Sequence, residues 1–172
     1  AYTTKEYTCI HASFLEPYVD RTLELFNDIV FHSVFPIEEL DKEKGVILDE
    51  ITSYLDQPEE AINDDFEDML FANHSLGRNI LGTPKTVMGL DQKHIKQFIK
   101  NNYRTDQIIV AVLGNYSLTK LIKIGEKHFS DVPENSSSSK RIAPFKNLPQ
   151  QIRVNKQMMQ AHSMLGMQTY SL

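Results

Sequence analysis

The feature that most constrains the fold is residues 36–55, PIEELDKEKGVILDEITSYL, which predict one long amphipathic helix. Pro36 suits the first turn of a helix, where its missing N–H leaves no hydrogen bond unmade. Glu38 and Glu39 follow at once, where the positive end of the helix dipole stabilises anions. Apolar residues recur at helical spacing and predict the buried face of the helix: Leu40, Ile47, Ile51 and Leu55.

Two carboxylates of this helix, Glu43 and Glu50, lie seven residues apart. Seven residues make two turns, so both side chains lie on one face, about 10 Å apart along the axis. On spacing alone, a solvated acidic face explains the pair better than a functional site, because charged helix faces usually meet only solvent. Interest in the pair comes from the order of the surrounding segments, described below.

Further helices are predicted on both sides of the acidic helix, each with an apolar stripe at helical spacing. They cover residues 16–33, 59–72, 91–103 and 117–129. Asp91 and Ser117 suit the position before the first turn of the last two, where a side-chain oxygen accepts a backbone N–H. Thr83, followed by Pro84, predicts the start of a shorter helical turn.

Strand-like patterns flank and interrupt the helices. Residues 1–15 alternate with polar residues on both faces, which is typical of an edge strand. Residues 107–113 form a nearly continuous β-branched run, which predicts a fully buried strand. Alternation resumes over residues 151–172. Strands at both ends with helices between them indicate the α+β class.

Composition and charge exclude several classes of function. The chain is 41% hydrophobic and 24% charged, and its net charge of −5 with no run of Lys and Arg gives no support for nucleic-acid binding. The longest apolar run, residues 108–113, is far shorter than the roughly 20 residues that span a bilayer. We therefore expect a soluble protein that binds neither nucleic acid nor membrane. A single cysteine, Cys9, excludes an internal disulfide and is interpreted as a structural thiol.

Familiar catalytic motifs do not occur in the 172 residues. Neither H-E-x-x-H nor H-x-x-E-H is found, and the six histidines never pair at helical ligand spacing, so no complete zinc site of a familiar type is encoded. Phosphate-binding and dinucleotide-binding glycine loops and the G-x-S-x-G elbow are also missing. The acidic residues of 59–68 lack the order of a calcium loop.

Four segments nevertheless resemble a known family. They are AYTTKEYTC at residues 1–9, EKGVILDEI at 43–51, HSLGRNILGT at 74–83, and NY at 102–103 followed by IVAVLGN at 109–115. In this order and at this spacing they resemble the pitrilysin/insulinase family of zinc metallopeptidases, specifically its bacterial and mitochondrial processing-protease branch. The resemblance covers about residues 1–133, and the chain from Gln160 resembles the start of that family's second half-domain.

The resemblance implies a fold, a cofactor and site residues. The fold is an antiparallel-rich sheet covered on one face by helices, a metallopeptidase half-domain. The family's H-x-x-E-H motif supplies two zinc-binding histidines and a general-base glutamate, and a later helix supplies a third protein ligand. That ligand corresponds to Glu50, and Glu43 corresponds to a supporting acidic position. The family binds peptide substrate as an added β-strand, along an edge that corresponds to residues 1–8.

One departure limits what this chain does alone. Because H-x-x-E-H would precede Ala1, we expect a piece of a longer protein, truncated at its N-terminus, that by itself binds zinc weakly and cleaves no peptide. Its predicted organisation is most of a first half-domain at 1–133, a Ser/Pro-containing linker at 134–150, and the start of a second half-domain at 151–172.

Two functions stay open at this point. The chain belongs to an active zinc endopeptidase, or to a non-catalytic homologue that serves as a peptide-binding or scaffold subunit. Retention of both Glu43 and Glu50 favours the first. The expected partners are a peptide substrate and either a second copy or a partner subunit. The expected compartment is the bacterial cytoplasm or periplasm, and the sequence does not choose between them.

Overall fold

A computed structural model describes residues 1–136, 142–145, 149–156 and 159–169. The remaining residues, 137–141, 146–148, 157–158 and 170–172, belong to the predicted linker and second half-domain, and those parts of the two predictions lie outside the described residues. The domain boundaries predicted at residues 133 and 150 stay predictions.

The described residues form an α+β fold, which confirms the predicted class. Two short strands, β1 (Tyr2–Thr3) and β2 (Thr8–Cys9), pair in a two-stranded antiparallel sheet. The helices are α1 (Val19–Phe31), α2 (Ile37–Leu55), α3 (Pro58–Leu70), α4 (Pro84–Gly89), α5 (Gln92–Asn102) and α6 (Leu118–Phe129). Single 3-10 turns at Glu16–Tyr18, Ser75–Gly77 and Thr105–Gln107 complete the helical content of the described residues.

The predicted helix starts are confirmed by their caps. The Thr83 hydroxyl accepts the N–H of Thr86, whose own hydroxyl accepts the N–H of Thr83, so the two residues cap the start of α4 reciprocally. Asp91 accepts the N–H of His94 at 2.8 Å, and Ser117 accepts the N–H of Lys120 at 3.3 Å. Each cap satisfies an N–H that would otherwise lack a partner in the first turn.

The chain divides into two compact units that are interleaved in sequence. Unit 1 comprises Ala1–Tyr2, Thr8–Leu40 and Asp91–Ser139, of which the structure describes the residues up to 136, and its core lies between α1 and α6. Val19, Leu23 and Ile124 are its buried centre. The partly buried side chains around that centre are Phe14, Phe26, Val112, Tyr116, Leu121 and Phe129. Full burial of such aliphatic side chains stabilises a fold by about 1.5–3 kcal/mol each.

Unit 2 comprises Thr3–Tyr7, Asp41–Leu90 and Lys140–Leu172, described except for the residues named above. Its buried apolar side chains are Ile51 of α2, Ala61 of α3 and Val87 of α4. Helix α3 packs on the turn Ser75–Gly77. Gly77 is buried there, and the turn requires glycine because a Cβ at that position would lie 2.7 Å from the Phe71 carbonyl oxygen. The predicted apolar face of α2 is correct at Ile51 and wrong at Leu55, which is exposed.

The prediction of one edge strand over residues 1–15 is wrong, because the chain reverses between β1 and β2. The Thr4 hydroxyl accepts the N–H groups of Glu6 and Tyr7, at 3.2 and 3.1 Å. The Thr4 N–H donates to the Tyr7 carbonyl at 2.8 Å. A threonine hydroxyl that binds N–H groups two and three residues later favours a turn over a continuous strand.

The prediction of a fully buried strand at residues 107–113 is also wrong. Gln107 ends a 3-10 turn, Ile108 is extended, and residues 108–113 form no strand, with Ile109 90% and Leu113 100% exposed. Within the described part of the chain, its residues after 107 make no backbone hydrogen bond to a neighbouring strand. A β-branched sequence favours a strand, but a strand also needs a neighbouring strand to accept and donate its backbone hydrogen bonds. Residues 108–113 therefore do not join a sheet.

Hydropathy along the helices bears on membrane insertion. Across the described ranges, no helix combines the length and the apolar character that crossing a bilayer requires.

Candidate functional site

The two carboxylates singled out by the sequence both lie on α2 and are exposed. Helical geometry places Glu43 and Glu50 on the same face, about 10 Å apart along the axis. Neither side chain takes part in a hydrogen bond or ion pair with the described residues, unlike Asp41, which pairs with Lys44 at 3.1 Å. Both carboxylates are therefore available to a ligand.

The electrostatic surroundings of this pair are strongly negative. Helix α2 carries six carboxylates and two lysines, and α3 carries six carboxylates and no basic residue. Charges of one sign along a helix produce a potential that attracts counter-ions of the other sign. The environment of Glu43 and Glu50 therefore favours a cation over an anion.

A zinc ion makes further demands that one helix does not meet. Catalytic zinc takes three protein ligands and a water molecule, in close to tetrahedral arrangement. Among the described residues, no three His, Cys, Asp or Glu side chains converge on one point that could hold a metal ion. Glu50 suits the role of one carboxylate ligand, but the described residues alone do not fit a complete zinc site.

Within unit 2, the turn that contains Lys5 is paired with α3 by charge. Nζ of Lys5, in the turn between β1 and β2, lies 2.5 Å from Oε2 of Glu67 and 3.9 Å from Oδ1 of Asp64. The Lys5 side chain is 16% exposed, and Nζ has no hydrogen-bond partner among the described residues beside these ion pairs. The enclosed ammonium is therefore neutralised by two carboxylates of α3.

Asp64 links this ion pair to two other elements of unit 2. Nδ2 of Asn79 donates to Oδ2 of Asp64 at 2.5 Å, while Oδ1 of Asn79 accepts the N–H of Leu81 at 2.8 Å. Burial, followed by the charge of Asp64, raises the pKa of Tyr54. The Tyr54 hydroxyl donates to the Glu60 carbonyl at 2.8 Å. These contacts hold α3, the end of α2 and the loop around Asn79 together.

His74 has a structural role in the segment 74–83. Its Nδ1 accepts the N–H of Leu76 at 3.2 Å, and its Nε2 lies 2.9 Å from the carbonyl oxygen of Ile142. One neutral tautomer, with the proton on Nε2, satisfies both contacts. Both ring nitrogens are thus occupied within the chain, and Arg78 of the same segment is exposed.

One polar cluster in unit 1 was missed by the sequence reasoning. Asp20 of α1 accepts from Nζ of Lys127 at 2.8 Å and contacts Nε2 of His128 at 2.9 Å, both residues of α6. The hydrogen bonds from Lys127 and then His128 hold the pKa of Asp20 below its ordinary value. More than 100 residues separate the partners, so no local pattern predicts the contact.

Two family models match this chain. The model of the insulinase family, peptidase family M16, matches residues 1–84, and the model of the peptidase M16 inactive domain matches residues 89–172. The chain belongs to the insulinase family. The 172 residues of this M16 chain do not contain the H-x-x-E-H motif.

Curated relatives extend over nearly the whole chain. The "Uncharacterized zinc protease YmxG" of Bacillus subtilis is 34% identical over 166 residues, which are 96% of this chain and 40% of that protein. The mitochondrial-processing peptidase subunit beta of Blastocladiella emersonii is 31% identical over 156 residues, 90% of this chain and 34% of that protein. The M16 chain therefore spans between about a third and two fifths of the length of these two relatives.

A solved structure shares the fold. The periplasmic protease PqqL from Escherichia coli superposes with a TM-score of 0.65 at 21% identity, over 76% of this chain and 14% of that protein. The zinc-protease names of the curated relatives and the two family matches confirm the resemblance to zinc metallopeptidases drawn from the sequence.

Proposed function

We propose that this M16 chain is part of a zinc-dependent endopeptidase in which Glu50 is a zinc ligand and Glu43 supports the site. The observation that carries the proposal is that both carboxylates are exposed on one face of α2 and make no hydrogen bond or ion pair with the described residues. A structural carboxylate in such an acidic region would be expected to find a basic partner, as Asp41 and Glu67 do. The zinc-protease names of relatives support the zinc-dependent class of the proposal.

The roles of the two carboxylates follow from their chemistry. If zinc were bound in the whole protein, it would supply a bound water of lowered pKa and a Lewis acid for the scissile carbonyl. Glu50 would hold one coordination position with its carboxylate oxygens. Glu43, two turns earlier on the same face, would accept a hydrogen bond from a ligand's N–H and fix its orientation. The histidine ligands would come from outside these 172 residues.

The proposed substrate is a peptide that adds a strand to the N-terminal hairpin. Residues 1–8 correspond to the peptide-binding edge implied by the resemblance, and Tyr2 and Tyr7 are exposed there. Strand addition draws affinity from backbone hydrogen bonds and specificity from alternate side chains. We further propose that the enzyme works in the bacterial cytoplasm or periplasm, either alone or with a partner subunit.

The test is zinc content and peptide cleavage by the full-length gene product. Glu50→Gln removes the charge of the proposed ligand, and Asp49→Asn removes the neighbouring charge, which helical geometry places on another face. Mutation of a residue that only hydrogen-bonds to a metal ligand typically lowers metal affinity by about 10–100-fold. We therefore expect Glu50→Gln, which alters a proposed ligand itself, to weaken zinc binding by at least about 100-fold. Asp49→Asn should keep zinc and activity. Full zinc occupancy in Glu50→Gln, measured by atomic emission, would overturn the proposal.

A further inference from the structure

Tyr54 lies one turn after Glu50 on α2 and on nearly the same side of the helix. Four residues advance an α-helix by about 6 Å and turn it by about 40° beyond a full circle, so the two side chains lie almost in line along the axis. Glu50 is exposed, Ile51 is buried, and Tyr54 is partly buried. Tyr54 therefore lies between the exposed carboxylate and the buried side of α2.

The Tyr54 hydroxyl spans the joint between α2 and α3, within the segment Asp41–Leu90 of unit 2. Helix α2 ends at Leu55, and the hydroxyl donates at 2.8 Å to the Glu60 carbonyl in the first turn of α3. Burial, followed by the charge of Asp64, raises the pKa of Tyr54, so the phenol keeps its proton and stays a donor at neutral pH. The acceptor is a backbone group, so its position is that of α3 itself. The bond therefore holds the last turn of α2 to α3.

A small roll of α2 about its own axis is enough to move a carboxylate away from a metal ion. A side chain at the surface of a helix lies about 5–6 Å from the axis, so a roll of about 20° displaces it by about 2 Å. Metal–ligand distances tolerate a deviation of only about 0.2 Å. Apolar burial, such as that of Ile51, is non-directional, whereas a hydrogen bond is restricted in distance and angle. The Tyr54 hydrogen bond therefore opposes a roll that apolar packing resists less sharply.

We propose that Tyr54 is a positioning residue, whose hydrogen bond to the Glu60 carbonyl holds Glu50 at the rotation of α2 that metal binding requires. Because it takes Glu50 as a zinc ligand, this role rests on the proposed function. Tyr54 acts through the orientation of the helix and not on the reacting atoms. Loss of the hydroxyl should therefore weaken zinc binding, and only while Glu50 is present as a ligand.

Two tyrosines of the chain provide a matched pair of variants. Tyr54→Phe removes the hydroxyl and keeps the ring. Tyr116→Phe does the same in unit 1, where the Tyr116 hydroxyl donates to the Glu16 carbonyl at 3.0 Å. Because both hydroxyls donate to a backbone carbonyl, the two variants should lower the melting temperature by similar, small amounts. A loss of zinc affinity confined to Tyr54→Phe therefore reports the position of α2 and not a general loss of stability.

The first measurement is the zinc affinity of the full-length gene product, by competition against a chromophoric chelator. We expect Tyr54→Phe to weaken zinc binding by about tenfold, the lower end of the effect of residues that orient metal ligands, and Tyr116→Phe to change it by less than about twofold. Wild-type zinc affinity in Tyr54→Phe would overturn the positioning role. An equal loss in Tyr116→Phe would overturn it as well, because the effect would then follow from stability alone.

The second measurement combines Tyr54→Phe with Glu50→Gln. Since Tyr54 acts through Glu50, the double variant should bind zinc as weakly as Glu50→Gln alone, which is the non-additivity expected of coupled residues. A further tenfold loss in the double variant would overturn the positioning of Glu50 while the zinc site itself stands. A wild type that binds no zinc, or full zinc occupancy in Glu50→Gln, would instead defeat the proposed function, and the positioning role with it.

Discussion

Nε2 of His128 lies 2.9 Å from Oδ1 of Asp20, joining α6 to α1 across 108 residues of sequence. The His128 side chain is 9% exposed, and its backbone carbonyl accepts from Nδ2 of Asn27 at 2.6 Å. Lys127 adds a second charged contact to the same carboxylate. The two helices that carry the core of unit 1 are thus joined at one polar point beside Val19 and Leu23.

Replacing Asp20 by Asn should lower the melting temperature in a pH-dependent way. The folded pKa of Asp20 lies below its ordinary value of 3.8, so its contribution is present at neutral pH and is lost as pH falls through the folded pKa. We expect a decrease of a few degrees at most at pH 7, because the carboxylate is partly solvent-screened. Melting followed by circular dichroism across pH measures it. Asp28→Asn, on an exposed turn of α1, is the control, and a pH-independent difference would contradict the assignment.

Two glycines should respond oppositely to substitution by alanine. A Cβ at Gly77 meets the Phe71 carbonyl oxygen at 2.7 Å, so Gly77→Ala should lower the free energy of unfolding by about 1–3 kcal/mol. Gly45, inside α2, has nothing within 4 Å of an added Cβ. Gly45→Ala should raise that free energy by up to about 1 kcal/mol, because alanine favours the helix over glycine. Urea unfolding of the two variants measures both changes in the free energy of unfolding. Changes of the same sign would contradict the close approach of Gly77 to the Phe71 carbonyl.

The exposed extended segment at residues 108–113 should make the isolated chain self-associate. Six consecutive uncharged apolar residues with unpaired backbone are typical of segments that pair with another copy. Ile109→Lys, at its most exposed β-branched position, should reduce the association. Leu118→Lys adds the same charge at an exposed position of α6 and should have little effect. Light scattering over a concentration series measures the molar mass of each variant, and a strictly monomeric wild type would contradict the prediction.

The 172-residue chain by itself should bind zinc weakly and cleave no peptide. Glu50 offers one carboxylate, whereas zinc sites of this kind need three protein ligands. Competition against a chromophoric chelator measures zinc affinity, and a quenched fluorescent peptide library measures cleavage. Tight binding of one zinc ion per chain would contradict this prediction, because it would require further ligands within the 172 residues.

Local interactions made much of the helical structure predictable. Thr83, Asp91 and Ser117 cap their helices through bonds to N–H groups three residues away, so the sequence near each helix start carries the whole signal. The resemblance drawn from four short segments was likewise confirmed by both family matches. The candidate ligand Glu50 and its neighbour Glu43 were named from the resemblance, and their role stays a proposal.

The sequence by itself determined the helices, their caps, the α+β class and the family, because each depends on residues close together or on segments in order. Only the tertiary structure decided that residues 1–15 turn at Thr4 and that the apolar run after Gln107 stays exposed, because a strand needs a neighbour that sequence does not specify. It alone paired Lys5 with Glu67 and Asp20 with His128. Those charges lie far apart along the chain, and only folding brings them within the few ångströms over which an ion pair acts.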